Sequence, residues 1–231
     1  MSVLVYTENW DGKFKKLSHE LVSYAAGVAE LAGGNVTALS IGNVDQDELL
    51  TLGANGASNV LSAEAAPEGL DNQVYASIIK AAMEKSGAKI LIMAHNNSGK
   101  ALAPRLSVKM KAGLAAGVTA LPESVSPVVV KKKVFSGKAY GKVEIRSDNA
   151  ILTLAQNSYE VNEAGTSVTV DSFDAGVDLA SKTLIKDVQK QDGKLLLSDA
   201  EIVVSGGRGM KSGENWGPIE ELADVLGAAT A

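Results

Sequence analysis

"KILIMAHN" (residues 89–96) carries five consecutive apolar residues, Ile90 to Ala94, with no polar residue alternating among them. A strand with one wet face alternates apolar and polar side chains, whereas a strand covered by helices on both faces does not. The run therefore predicts a strand in a parallel sheet between two helix layers. Strands of the same character recur upstream at residues 3–6, 35–42 ("NVTALSIG") and 59–64 ("NVLSAE"). Between the first two, Leu17, Leu21, Tyr24, Ala25, Val28 and Leu31 fall at helical spacing, and Gly33-Gly34 stops the helix. Asp45 stands where it can cap a short helix. Asp71 opens another helix, with Val74, Ile78, Ala81 and Ala82 on one face and Gly87 as its stop. The fold class that follows is α/β: a doubly wound, mostly parallel sheet in three layers.

Composition narrows the function classes. With 231 residues and 45% hydrophobic content the chain can bury a substantial core. A formal charge of −5 argues against a nucleic-acid or anionic-membrane surface. There is no cysteine, hence no disulfide framework, thiolate metal site or cysteine nucleophile. No stretch reaches the roughly 18 apolar residues needed to span a bilayer, and "MSVLVYTE" enters a strand without a leader-like pattern. The expectation is a soluble acidic protein of the cytoplasm, with no membrane insertion and no nucleic-acid partner.

The polar loop at residues 96–100 ("NNSGK") follows the fourth strand, at the end of the sheet where open α/β folds bind ligands. Its "SGK" invites comparison with a phosphate-binding loop, but the first glycine of that motif is absent and Ala101 replaces the Ser/Thr. A helix start satisfied by Asn and Ser side chains explains the same residues. His95 is expected to bond locally, and His19 to lie on a helix surface, without a metal pair.

From Val125 the pattern changes. "PVVVKKKVFSGKAYGKVEIRS" alternates around Gly137 and Gly141, and "AILTLAQNSYEV" and "TSVTVDSF" add strand-like runs. These predict antiparallel additions at the sheet edge. Lys131, Lys132 and Lys133 fit an edge strand guarded against aggregation. Residues 171–200 are polar and predict a connection, placing a boundary between a domain at 1–190 and a second unit at 191–231.

That second unit reads "VVSGGRGMKSGENWGPIEELADVLGAATA" (residues 203–231). A short strand at 202–204 leads into a glycine loop, and Ile219, Leu222, Ala223 and Leu226 share one helix face. This is half of a βαβ unit, and a lone strand and helix cannot bury those side chains by themselves. Pro218 suits the first helical turn. Glu220 and Glu221 disfavour an anion directly at the helix start, leaving loop N–H groups and Arg208 to hold one. The dinucleotide fingerprint fails, since Ser212 stands where the third glycine belongs.

As a whole string, "VVSGGRGMKSGEN" closely resembles the segment that opens the flavin-binding domain of electron transfer flavoprotein α-subunits. The resemblance runs along the chain in order, through "YTENWDGKFKKLSHELVSYA", "LGANGASNVL", "GKALAPRLSVKMKAGLAAGV" and "FSGKAYGKV". It departs at "LTLAQNSYE", where the family often has an arginine near Ala155 or Gln156.

The resemblance implies an incomplete second α/β domain, the first β-loop-α of an FAD-binding domain. The family's serine–arginine pair, its Q-T-G-K run and its G-I-S-G-A-x-Q-H run do not occur after it. It implies FAD as the cofactor of the complete protein, not retained by these 231 residues alone. The cofactor-binding positions carried over are Arg208, with Gly206, Gly207 and Gly209 letting the backbone approach FAD. The implied partners are a β-subunit, flavin dehydrogenases such as acyl-CoA dehydrogenases, and a quinone-linked oxidoreductase. The protein is then a carrier rather than an enzyme that transforms a substrate of its own. An alternative is an adenine-nucleotide (AMP or ATP) module using residues 96–100.

Overall fold

The computed structural model describes residues 1–67, 69–165, 167–181, 183–187, 195–197 and 200–231. The chain forms two compact units, Met1–Ile185 and Lys186–Ala231. The predicted boundary between residues 190 and 191 lies outside the described residues.

In the first unit β1 (Val3–Thr7) leads through a small hairpin, β2 (Asn9–Trp10) and β3 (Lys13–Phe14), into helix α1 (Lys16–Ala32). Then come β4 (Val36–Ile41), α2 (Gln46–Leu50), β5 (Asn59–Ala63), α3 (Asn72–Ser86), β6 (Ile90–Ala94) and α4 (Asn97–Met110). Strands β7 (Gly113–Val118), β8 (Ser124–Val125), β9 (Val128–Val134), β10 (Ala139–Ile145), β11 (Ala150–Leu154) and β12 (Thr169–Ser172) complete it. The sheet runs β10-β9-β7-β11-β6-β1-β4-β5-β12, with β8 beside β9. Every pairing from β7 to β12 is parallel, and the β8, β9 and β10 pairings are antiparallel.

The two sides of β6 show why its sequence has no polar alternation. Ile90, Ile92 and Ala94 join Val3, Val5, Leu152 and Leu154 against Leu21, Tyr24 and Val28 of α1. Leu91 and Met93 face the other way, with Leu4, Leu39 and Ile151, onto Ile78 and Ile79 of α3 and Leu102 and Leu106 of α4. Each large side chain so buried contributes about 1.5–3 kcal/mol. The helix signals act where predicted: Gly33 and Gly87 end α1 and α3 in the left-handed conformation, and the Asp71 carboxylate accepts from the N–H groups of Gln73 and Val74. Asp45 occupies the cap position of α2, but its side chain makes no capping bond.

Two expectations are corrected, and one strand goes unread in the sequence. The run at 150–154 is not an edge addition. It is β11, parallel and central between β6 and β7, buried throughout. The run around residue 170 lies at an edge but pairs in parallel with β5, because the chain crosses over α1 before returning to the sheet. Residues 113–118, which carry little strand signal, form β7. The predicted antiparallel edge is the β9–β10 hairpin.

The crossover is held by polar groups of α1. Glu20, 1% exposed, accepts from the backbone N–H groups of Asn157 (3.1 Å), Ser158 (2.9 Å) and Tyr159 (3.1 Å). Ser23 accepts from Asn162 N–H, Asn55 donates to the Asn162 carbonyl, and Tyr24 packs edge-on against Tyr159. His19 is half-buried rather than superficial, its Nδ1 2.7 Å from Asn55 Oδ1. Removing the Glu20 carboxylate strands three N–H donors, so Glu20→Ala is expected to lower the unfolding free energy by about 2–3 kcal/mol. Urea denaturation checks this; a change within about 0.5 kcal/mol, ordinary for a surface substitution, contradicts it.

Candidate functional site

Two places qualify from the sequence: the loop after β6 and the glycine loop near the chain's end. The first lies at the switch point of the sheet, where β1 leads one way to β4 and β6 the other way to β11. Protein groups fill the crevice. Asn96 caps α4, its side-chain carbonyl accepting from Gly99 N–H at 2.9 Å. Its amide nitrogen donates to both carboxylate oxygens of Glu8, each at 3.1 Å. Gly99 serves close packing, since a Cβ there would sit 1.8 Å from the Ala94 carbonyl oxygen. A phosphate placed here would meet the Glu8 carboxylate, and the cap already uses the Gly99 N–H, so the geometry disfavours the adenine-nucleotide alternative at residues 96–100. His95 bonds as expected, its Nδ1 2.9 Å from Thr153 Oγ1 on the neighbouring strand.

Burial raises the Glu8 pKa, opposed by hydrogen bonds from Asn96 and Ser98. A raised acid pKa means the folded state binds the proton more tightly than the unfolded chain. That contribution is fully present below the ordinary value of 4.5 and is lost as pH rises through the folded value. Glu8→Gln is therefore expected to be at least as stable as the parent at neutral pH, the difference shrinking below about pH 4.5. Paired thermal melts across this range check it; a variant that loses more stability at neutral than at acid pH contradicts it.

The second place lies in the unit Lys186–Ala231. Strand β13 (Val203–Val204) leads into the loop, and helix α5 (Gly217–Leu226) follows, with Pro218 in its first turn and Gly227 ending it. The sequence predicts no further strand, yet β14 (Ala229–Thr230) returns parallel to β13, closing a minimal βαβ unit. Two residues were too short a signal to read. Of the apolar face of α5, Ala223 is buried while Leu222 and Leu226 are 49% and 45% exposed.

Within the loop, Arg208–Met210 and Gly213–Asn215 form single 3-10 turns, and Asn215 donates to the Met210 carbonyl at 2.7 Å. Neither Gly207 nor Gly209 has positive φ, and a Cβ on either would enter open space, so nothing described within this chain demands a glycine there. Gly206 differs, its Cβ direction pointing at the Trp216 ring and Met210 at 3.3 Å. Arg208 is exposed, and among the described residues its guanidinium has no hydrogen bond or ion pair. The loop thus gathers an uncommitted guanidinium and accessible backbone, the elements of an anion cradle. These features fit the pyrophosphate-bearing flavin that the string resemblance implies.

Among the described residues no helix is long and apolar enough to cross a membrane. The family model of the electron transfer flavoprotein domain matches residues 3–178, and that of the electron transfer flavoprotein FAD-binding domain matches residues 196–231. The electron transfer flavoprotein subunit alpha of Bacillus subtilis (strain 168) is 32% identical over 98% of this chain and 70% of its own length. The namesake subunit of Mycobacterium leprae is 30% identical over 98% and 70%, and that of Pseudomonas aeruginosa 26% identical over 99% and 72%. FAD is accordingly the cofactor of the complete protein. With both family domains matched in order, this chain belongs to the electron transfer flavoprotein α-subunit family.

Proposed function

We propose that this chain acts in the cytoplasm as the α-subunit of a heterodimeric FAD-containing electron carrier. Paired with its β-subunit, it takes electrons from flavin dehydrogenases such as acyl-CoA dehydrogenases and delivers them to a quinone-linked oxidoreductase. Residues 1–190 serve as the nucleotide-binding-like N-terminal domain. Residues 191–231 supply a linker and the first β-loop-α of the FAD-binding domain. Bound FAD supplies the redox chemistry, and the chain's own residues hold and orient it.

In this role Arg208 presents its planar fork to an anionic part of the cofactor, and Gly206, Gly207 and Gly209 keep side chains out of the backbone's approach. The observation that supports this most strongly is the pairing of an uncommitted, exposed Arg208 with two flanking glycines that neither φ nor packing requires. Lys211, three residues on, offers a mobile point charge. Glu220, in the first turn of α5, turns an anion away from the helix start and toward the loop.

In the heterodimer of the complete α-subunit with its β-subunit, Arg208→Ala is expected to weaken FAD retention by about 1.5–3 kcal/mol, the worth of a charge-assisted hydrogen bond. Arg208→Lys should fall between, and Lys211→Ala should cost much less. Flavin fluorescence during dissociation measures this, with circular dichroism confirming the fold; an Arg208→Ala heterodimer that binds FAD as tightly as the parent removes Arg208 from the site. The 231-residue chain purified alone should be colourless. Stoichiometric flavin in that preparation contradicts the expectation that one exposed loop is insufficient.

A further inference from the structure

A second concave site lies entirely within the first unit. The carboxyl ends of β6, β7 and β11, with the β9–β10 hairpin as a wall, enclose an open cleft of about 570 Å³. Its lining includes His95, Gly117, Thr119, Lys132, Lys133 and Tyr140. A smaller cavity, about 380 Å³, lies at the opposite ends of the strands beside Lys89 and Asn149, away from where such sheets take ligands.

The cleft exists because β7 is irregular. Thr153 pairs with Ala116 but Leu154 with Val118, so Gly117 is one extra residue, a bulge with φ +71°. A Cβ on Gly117 would touch His95 Nε2 at 3.4 Å. The Gly117 N–H, turned out of the ladder, donates to Thr153 Oγ1 at 3.0 Å. The same hydroxyl lies 2.9 Å from His95 Nδ1, so its own proton can go to that nitrogen. This chain of donors favours the neutral ring with its proton on Nε2, the atom beside Gly117 that borders the cleft. Strand β9, which lies inside β10 rather than at the edge expected for Lys131–Lys133, adds the cation: Lys132 pairs with Val118 of β7 on one side and with Gly141 of β10 on the other, and Gly141 has no side chain to cover it.

The charged residues lining the cleft are basic, and no carboxylate is among them. Glu20 lies beneath residues 157–159, spent on their three N–H groups. Lys131, on the same strand as Lys132 and Lys133, stacks over the Tyr140 ring at 4.5 Å. Burial, then Lys100 and Lys132, lower the His95 pKa, so the ring is a neutral donor at pH 7. Lys133, next along β9, projects to the opposite face with Lys131, so the Lys132 ammonium and the His95 N–H are the pair that can meet an anion here, and the volume leaves room for an organic part beside Thr119.

We propose that this cleft binds a small phosphate monoester, its phosphoryl group held by Lys132 and His95 Nε2–H. The site is separate from the glycine loop and does not depend on the flavin assignment. Bound phosphate brings negative charge to His95 and offsets Lys132, so its titration midpoint must rise on binding.

The chain's two histidines make this measurable by proton NMR, using inorganic phosphate, glycerol 3-phosphate and glycerol as probes. Glycerol 3-phosphate at millimolar concentration should raise the His95 midpoint and leave His19 unmoved. Inorganic phosphate should do so more weakly, and glycerol not at all. Lys132→Met, folded by circular dichroism, should weaken binding by about tenfold or more. No response at His95, an equal response at His19, or unweakened binding by Lys132→Met overturns the site. Inorganic phosphate binding as tightly as the ester overturns the organic part of the ligand.

Discussion

The backbone and side chains of β6 and β11 have no route to water, and the rest of the first unit is arranged around that constraint. Their side chains alternate between the α1 face and the α3/α4 face and are buried on both. A parallel pair satisfies its backbone groups only through neighbours on either side, so β1 and β7 must flank them in register. Because β11 comes late in the chain yet sits in the centre, the polypeptide must then travel over α1 to reach the far edge at β12. Glu20, Ser23 and Asn55 accept and donate for that crossing segment, which has no ladder of its own on the way. Charge is placed in the interior of α1's surface for backbone satisfaction, not chemistry.

The same constraint decides which ends of the sheet stay open. At the switch point between β1 and β6, Glu8 and Asn96 lock together and Gly99 lets α4 approach the strand closely. One step along the sheet, the bulge at Gly117 interrupts β7 and leaves the lysine-bordered cleft. Closure at one position and opening at the next arise from single residues on otherwise regular strands.

Much of this was legible in the sequence, for a physical reason. Continuous apolar strands separated by capped, periodic helices identify a doubly wound sheet, and β1, β4, β5 and β6 are of that kind. The segment "GLAAGV" was not legible as β7, because small residues after a helix carry no period. The place of β11 was not legible either, since "AILTL" looks the same in the centre or at an edge; only long-range pairing decides. Glu20 resembled any solvated helix residue, its role visible only through partners more than a hundred residues away. Gly99 hinted at a phosphate loop and proved to be a packing glycine. In the glycine loop the pattern alone was weak, and the whole string around Arg208 carried the family signal that both domain matches bear out.

The account rests on the cofactor meeting the loop around Arg208 rather than the crevice after β6. Hydrogen–deuterium exchange of the α/β complex, with and without FAD, tests that most directly. Amides within residues 206–210 should slow on adding FAD, above all those of Gly207, Arg208 and Gly209, which lie exposed in a loop that the cofactor would then cover, while those of residues 96–100 should exchange unchanged. Slowing at residues 96–100 with none at 206–210 would contradict the account and return the switch point of the sheet as the site.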